Sequence, residues 1–340
     1  MQQASTTSFL LQPRPYPGLL SLVIPIYNEE LVVPFLRNEL QHFLADLQGE
    51  AEVVLVNDGS TDTTLEKIVE WAHEDPHVKI VNFSRNFGHQ IASTAGLDYA
   101  TGDAVVLLDA DLQDPLDVIP RMVQRYCEGY DVVYGKRKAR QGETWFKRFT
   151  AWLFYRLMRA FVHGDLPVDA GDFRLLSRPC LNALQQMRET HRFLRGMIAW
   201  VGFAQIGVPY ERSPRVAGST KYPLRKMLTF AWTAATSFST LPLKASMLLG
   251  VVVTLMGLEE AVRAILAKVF HWYTVPGWSS LTVLVSVLGG ATLMSIGVLG
   301  EYVGKLYEQT KHRPLYVVAQ TVNVEKRADV ETRLAGVNKP

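Results

Sequence analysis

The chain is poor in cysteine: Cys127 and Cys180 are its only two in 340 residues, and neither belongs to a CxxC pair. That argues against a structural disulfide and suits a reduced, cytosolic setting. No GxGxxG follows the first apolar strand, which excludes a dinucleotide-dependent oxidoreductase. Charge of either sign is not in excess. The formal net charge is +2, which does not describe a nucleic-acid binder, so any basic patch must be local. The opening stretch MQQASTTSFLLQPRPYPG lacks an apolar signal-peptide core, and residues 1–18 read as a flexible arm. Charged residues make up 20% of the chain and the mean hydropathy is +0.05. Those values are apolar for a soluble enzyme and modest for a multi-span transporter.

What the sequence does have is rhythm. From Leu19, apolar runs (LLSLVIPIY, AEVVLVNDGS, VKIVNFSRN, AVVLLDADLQ, DVVYGKR) alternate with helix-forming segments such as TDTTLEKIVEWAHED. Continuous β-branched runs, rather than strict alternation, imply strands buried on both faces, hence an α/β domain with a mainly parallel sheet. Ligands of such sheets gather at the carboxyl ends of the strands. Tyr27-Asn28-Glu29, Asn57-Asp58-Gly59, Ser84-Arg85-Asn86 and Asp109–Gln113 all fall at those ends.

The second half of the chain changes character. Residues 144–164, TWFKRFTAWLFYRLMRAFVHG, hold aromatic residues on one helical face, basic residues mostly on the other, and no acid. A core-packed surface helix has the same amphipathic pattern, but the basic-aromatic composition favours a helix lying in a membrane interface near 144–163. Residues 222–242 read as a second, juxtamembrane helix. Two membrane spans are expected within 243–300: an uncharged one over 278–300, and a first one compromised by Glu259, Glu260 and Arg263. The positively charged residues flank the pair, and the connecting loop HWYTVPG has none. The positive-inside rule then puts the domain over 19–221 and the tail over 301–340 in the cytosol of a bacterial cell membrane.

Chemistry concentrates at LLDADLQDP. Three carboxylates at the end of a buried strand repel one another unless a positive group sits among them. An acid-x-acid pair of hard oxygens suits Mg²⁺ or Mn²⁺, which commonly bridges one or two carboxylates to substrate phosphates. A lone DxD is more often a solvated turn, but this one ends a strand among three other polar strand ends.

Six blocks taken in order, VIPIYNEE, VNDGSTD, NFSRNFGHQIA, LDADLQDP, GDFRLLSR and RVAGSTKYPLRK, resemble the family 2 glycosyltransferases of GT-A fold. Within them the chain looks like the polyprenyl-phosphate glycosyltransferases, whose relatives include dolichyl-phosphate mannose synthase and the bactoprenol glucosyltransferases. The resemblance runs over roughly residues 19–320. It implies a GT-A nucleotide-sugar-binding domain followed by a two-helix transmembrane hairpin. Pro25, Tyr27 and Glu29 would line the nucleoside pocket, and Asp58 would accept from the base, favouring uracil. Asp109, Asp111 and Gln113 would hold the metal and the donor diphosphate, with Arg137 serving the phosphate region. Asp172 and Arg174 would face sugar and acceptor. Arg215, Thr220 and Lys221 would bind phosphates from a loop that closes over the donor. Plainer readings stand beside these: Asp58-Gly59 as a turn, Arg137 as part of a solvated charge run, Asp172 paired simply with Arg174, Arg215 and Lys221 as juxtamembrane charges.

The resemblance implies transfer of a sugar, glucose first, from a UDP-sugar to a polyprenyl phosphate such as undecaprenyl phosphate, with inversion at the anomeric centre. GlcNAc, galactose, mannose or a modified arabinose are alternatives at the donor. A processive polysaccharide synthase would need a QxxRW-type motif and more spans, and neither is present. A binding or scaffold protein beside a flippase is opposed by the complete acidic motif. Partners implied are the UDP-sugar, the lipid acceptor and membrane lipids; a homo-oligomer is compatible with the sequence, and nucleic acid is not expected.

Overall fold

The computed structural model describes residues 11–137, 170–212, 241–270 and 278–324. These divide into two compact units: residues 11–137, 170–212 and 314–324 in the first, and the rest up to 313 in the second.

The first unit is an α/β layer structure. Its strands are β1 (Leu19–Ile26), β2 (Glu50–Asn57), β3 (Val78–Phe83), β4 (Ala104–Leu107), β5 (Val132–Arg137), β6 (Ala170–Ser177), β7 (Gln205–Tyr210) and β8 (Val318–Val322). They form one sheet in the order β7-β5-β6-β4-β1-β2-β3-β8. Neighbours β4-β1-β2-β3 are parallel, as are β5 and β7. Two strands run against the rest: β6, between β4 and β5, and β8, at the β3 edge. The sheet is therefore mixed with a mainly parallel centre, and the expected C-terminal tail contributes one of its edge strands.

Helices cover both faces, which is why the central strands are apolar throughout. Alternate residues Leu20, Leu22 and Ile24 of β1 pack with helices α1 (Val33–Ala45), α2 (Thr64–Glu74) and α4 (Val118–Cys127). The other face, with Val23 and Val56, meets α3 (His89–Tyr99). There Gly96 allows close approach: a Cβ on it would lie 2.2 Å from Val23 Cγ1. Helices α5 (Arg178–Gln186) and α6 (Leu194–Trp200) complete the unit. Within the described residues 11–18, part of the expected flexible arm, Arg14 is anchored to the α/β unit. Arg14 donates to the Gly129 carbonyl at 2.8 Å, pairs with Asp131 at 3.0 Å and lies over the Tyr126 ring.

The second unit contains α7 (Leu241–Val269) and α8 (Trp278–Thr310), which pack on each other. Each is long and apolar enough to cross a membrane, with windows Pro242–Glu259 and Val287–Thr310 at hydropathies of 1.4 and 1.3. Their large apolar side chains are exposed, among them Met247 at 71% and Leu293 at 71%. Helix α7 passes unbroken through Glu259, Glu260 and Arg263; the side chains of Glu260 and Arg263 lie outside the described ones. Helix α8 continues ten residues beyond the expected end of its span, with Lys305 paired to Glu301 at 3.8 Å. The segment 144–164, residues 222–240 and the loop 271–277 lie outside the described residues.

Candidate active site

The parallel strands end together, and their following loops are wired to one another. After β1, Asn28 adopts φ +53° and its side-chain oxygen accepts from the Thr61 N–H at 2.8 Å. Asparagine tolerates that left-handed conformation better than most residues. After β2, the Asp58 carboxylate accepts the backbone N–H groups of Phe87 at 2.7 Å and Gly88 at 3.0 Å. Asp58 is 3% exposed, and this clamp is the work the structure shows for it. Gly59, at φ +68°, sits where a Cβ would be 2.4 Å from the Arg85 carbonyl carbon, so only glycine lets these loops close. Pro25 is buried in β1, Tyr27 is 45% exposed, and the Glu29 N–H donates to Thr64 Oγ1 at 2.9 Å.

The loop after β4 carries the acidic motif. Leu112 takes φ +55°, which turns the Gln113 N–H back onto Asp111 Oδ1 at 3.1 Å. Asp109 keeps a side chain 29% exposed, whereas Asp111 is at 11% and Asp114 at 0%. Burial pushes the Asp109 carboxyl up, His89 offsets part of that, and the carboxylates of Asp172, Asp114 and Asp111 raise it further. Ionising so many acids together calls for positive charge.

The protein supplies some of it on two sides. On one, His89 Nε2 stands 3.5 Å from Asp109 Oδ1 and 3.6 Å from Asp172 Oδ2. Arg195 Nε pairs with the other Asp172 oxygen at 2.7 Å. Burial works against charge on both partners, yet the pairing prevails: it raises His89 and holds the Asp172 carboxyl well below the usual carboxylate range. On the other side, Arg212 lies 3.7 Å from Asp114 and 4.0 Å from Asp111, and Arg137 lies 3.9 Å from Asp114. Tyr210 donates its hydroxyl to Asp114 and accepts from Arg137 Nε at 3.2 Å. Burial and the Asp114 bond push the Tyr210 phenol up to about 12. Beneath, Arg174 is 4% exposed and donates to the Gly171 carbonyl at 2.8 Å, with burial lowering it to about 10.

Of the residues expected at the site, Asp109, Asp111, Gln113, Asp172, Arg174 and Arg137 lie in this one cluster. Asp172 pairs with Arg195 and His89, where the simple alternative paired it with Arg174. Arg215, Thr220 and Lys221 lie outside the described residues. Asp114, the third carboxylate of LLDADLQDP, joins the cluster, and His89, Arg195, Tyr210 and Arg212 complete it without having been expected there. His89 follows the end of β3 within the NFSRNFGHQIA block, and Tyr210 and Arg212 end the apolar run QIGVPYER, so the strand-end rule reaches all three. Arg195, on a short helix, has no local signal.

Among the described residues, no three His, Cys, Asp or Glu side chains converge as a self-sufficient metal cage. Asp109 and Asp111 nevertheless offer the hard carboxylate oxygens, at a crowded and partly open point, that suit a divalent cation sharing its shell with a substrate phosphate. The donor set fits such an ion.

An acidic strand end flanked by guanidinium groups is chemically suited to a metal-bound phosphate ligand. The family model described as glycosyl transferase family 2 matches residues 21–184. YkcC of Bacillus subtilis, described as an uncharacterized glycosyltransferase, is 44% identical over 90% of this chain and 95% of its own length. The prophage bactoprenol glucosyl transferase homolog of Escherichia coli is 40% identical over 88% of this chain and 98% of its own. The bactoprenol glucosyl transferase of Shigella phage SfV is 39% identical over 88% and 97%. The chain belongs to glycosyl transferase family 2, and its α/β unit is a GT-A domain.

Proposed function

We propose that this transferase moves a sugar, glucose first, from a UDP-sugar to a polyprenyl phosphate such as undecaprenyl phosphate, inverting the anomeric centre. The names of relatives similar over nearly their whole length, a bactoprenol glucosyl transferase and a homolog of one, support a lipid acceptor and a glucosyl donor. Helices α7 and α8, apolar enough to cross a membrane, support an acceptor whose tail stays in a bilayer.

The observation that carries the reading is the state of Asp172. A hydroxyl acceptor needs a carboxylate or histidine to take its proton. Asp172 is locked by His89 and Arg195, and its depressed carboxyl makes it a poor base. His89 stands between Asp109 and Asp172, at 3.5 and 3.6 Å, and is engaged by both. A phosphate acceptor is already anionic and needs neither. Asp172 is then a positioning group, and its ion pairs keep it in place without consuming it.

Asp109 and Asp111 would hold Mg²⁺ or Mn²⁺, which when bound supplies charge neutralisation at the departing diphosphate. Arg137 and Arg212, 3.9 and 3.7 Å from Asp114, would face the same negative charge. Arg215, Thr220 and Lys221 are proposed to serve the phosphates from the segment that precedes α7. The test is purified protein with undecaprenyl phosphate, Mg²⁺ or Mn²⁺ and a panel of UDP-sugars, read by mass spectrometry of the lipid. The reading expects the lipid phosphate to gain the mass of one hexose with UDP-glucose. A polymer, or sugar found only on water, would overturn it.

A further inference from the structure

The chain leaves α8 at Thr310 and returns to the α/β unit as a strap, residues 314–323, whose last part is β8. The strap does more than add an edge strand. Its Tyr316 ring stacks on Phe83 with centroids 5.2 Å apart and planes at 17°. Phe83 in turn meets Phe87 edge-on at 5.5 Å. Phe87 and Gly88 are the residues whose N–H groups Asp58 clamps, and His89 is the next residue along. The Tyr316 hydroxyl reaches elsewhere: it donates to Asp98 Oδ2 at 2.9 Å, an atom it shares with Arg188 at 2.7 Å. Asp98 is 3% exposed and lies at the far end of α3, the helix that His89 begins. Beside these contacts, the Ser84 N–H donates to the Val317 carbonyl at 3.0 Å. Asn323 locks the strap's end by donating to the carbonyls of Ala72 and Val78.

One side chain thus grips α3 at both ends, by its ring through Phe83 and Phe87, and by its hydroxyl through Asp98. We propose that Tyr316 is a positioning residue of the transferase, setting where His89 stands between Asp109 and Asp172. The physical case is geometric. His89 Nε2 lies at 3.5 and 3.6 Å from its two carboxylates, so a shift of the loop or a tilt of α3 by a fraction of an ångström makes or breaks those contacts. An ordinary edge strand would need only its backbone pairing with β3, which holds without Tyr316.

The inference rests on the transferase reading for its kinetic arm, so the experiment carries a second, turnover-free arm. Full-length protein in membrane mimetic is made as wild type, Tyr316→Phe and Tyr316→Ala. Hydrogen exchange is followed over residues 84–90, and kcat and KM for the nucleotide sugar are measured beside Tm. Tyr316→Ala should speed exchange of the Phe87 and Gly88 amides and lower kcat, each by about ten-fold, with KM and exchange in β1 and β4 unchanged. Tyr316→Phe, which keeps the ring stack, should fall between wild type and Ala and serves if the Ala variant does not fold. A lowered Tm with wild-type kcat per folded molecule would reduce Tyr316 to a structural residue and overturn the proposal, as would a change in KM alone. Should no donor and lipid give turnover, the exchange arm decides alone: acceleration confined to residues 84–90 upholds the coupling, and wild-type exchange there refutes it.

Discussion

Asp172 shows how a residue's neighbours rewrite its role. From the sequence, GDFR offers an acid beside an arginine, expected to face sugar and acceptor as positioning groups. In the fold its oxygens are taken by Arg195 at 2.7 Å and His89 at 3.6 Å, neither near it in sequence. Asp172→Asn should therefore lower kcat/KM by the worth of a charge-assisted contact, about 1.5–3 kcal/mol, or roughly one to two decades. The residual rate should keep the wild-type pH profile; a residual rate climbing steeply with pH, as a lost base gives, would contradict the positioning role. Asp111→Asn addresses the other side of the site. Transfer should nearly vanish while folding and membrane insertion persist, and chelation of the wild type should do the same. Full activity in metal-free reagents with EDTA would remove the cation from the account.

The central parallel strands and the helices between them were legible in the sequence, because burial on both faces writes itself as unbroken apolar runs. What was not legible depends on partners distant along the chain. VAQTV in the tail is too short to announce β8, which exists because β3 offers it an edge. GDFRLLSR stood out as a site block but not as an antiparallel strand wedged between β4 and β5. Glu52 on β2 is a further case: an acid in an apolar run, made tenable by Ser21, Lys79 and Thr101. Burial opposes its ionisation, but those partners outweigh burial and lower the carboxyl below its ordinary value. Its contribution to stability is then present above the unfolded pKa of about 4.3 and is lost as pH falls through the lower folded value. Glu52→Gln should cost about 1.5–3 kcal/mol at neutral pH. In urea titrations across pH, the gap from wild type should narrow as the medium becomes acid, and a gap constant down to that range would contradict the assignment.

At the scale of the whole molecule, sequence charge and helix length make one further statement that the fold leaves for experiment. Lys221, Arg225 and Lys226 precede α7, Lys311 and Arg313 follow α8, and residues 271–277 between them have no Lys or Arg, so both termini are proposed to be cytosolic. With cysteine introduced in a background lacking Cys127 and Cys180, Ser279→Cys should react with an impermeant thiol reagent added outside cells, whereas Ser5→Cys should not. The opposite pattern reverses the orientation.

The central claim, that an anionic lipid phosphate attacks without a base, is tested most directly by giving the enzyme a choice of nucleophile. Purified protein, a divalent cation and UDP-glucose labelled in the sugar would be offered undecaprenyl phosphate and undecaprenol in parallel, with the anomeric configuration of any product read by NMR. The account predicts label only on the phosphate, as a glucosyl phosphodiester of inverted β configuration. Label on undecaprenol, or an α-linked product, would contradict it.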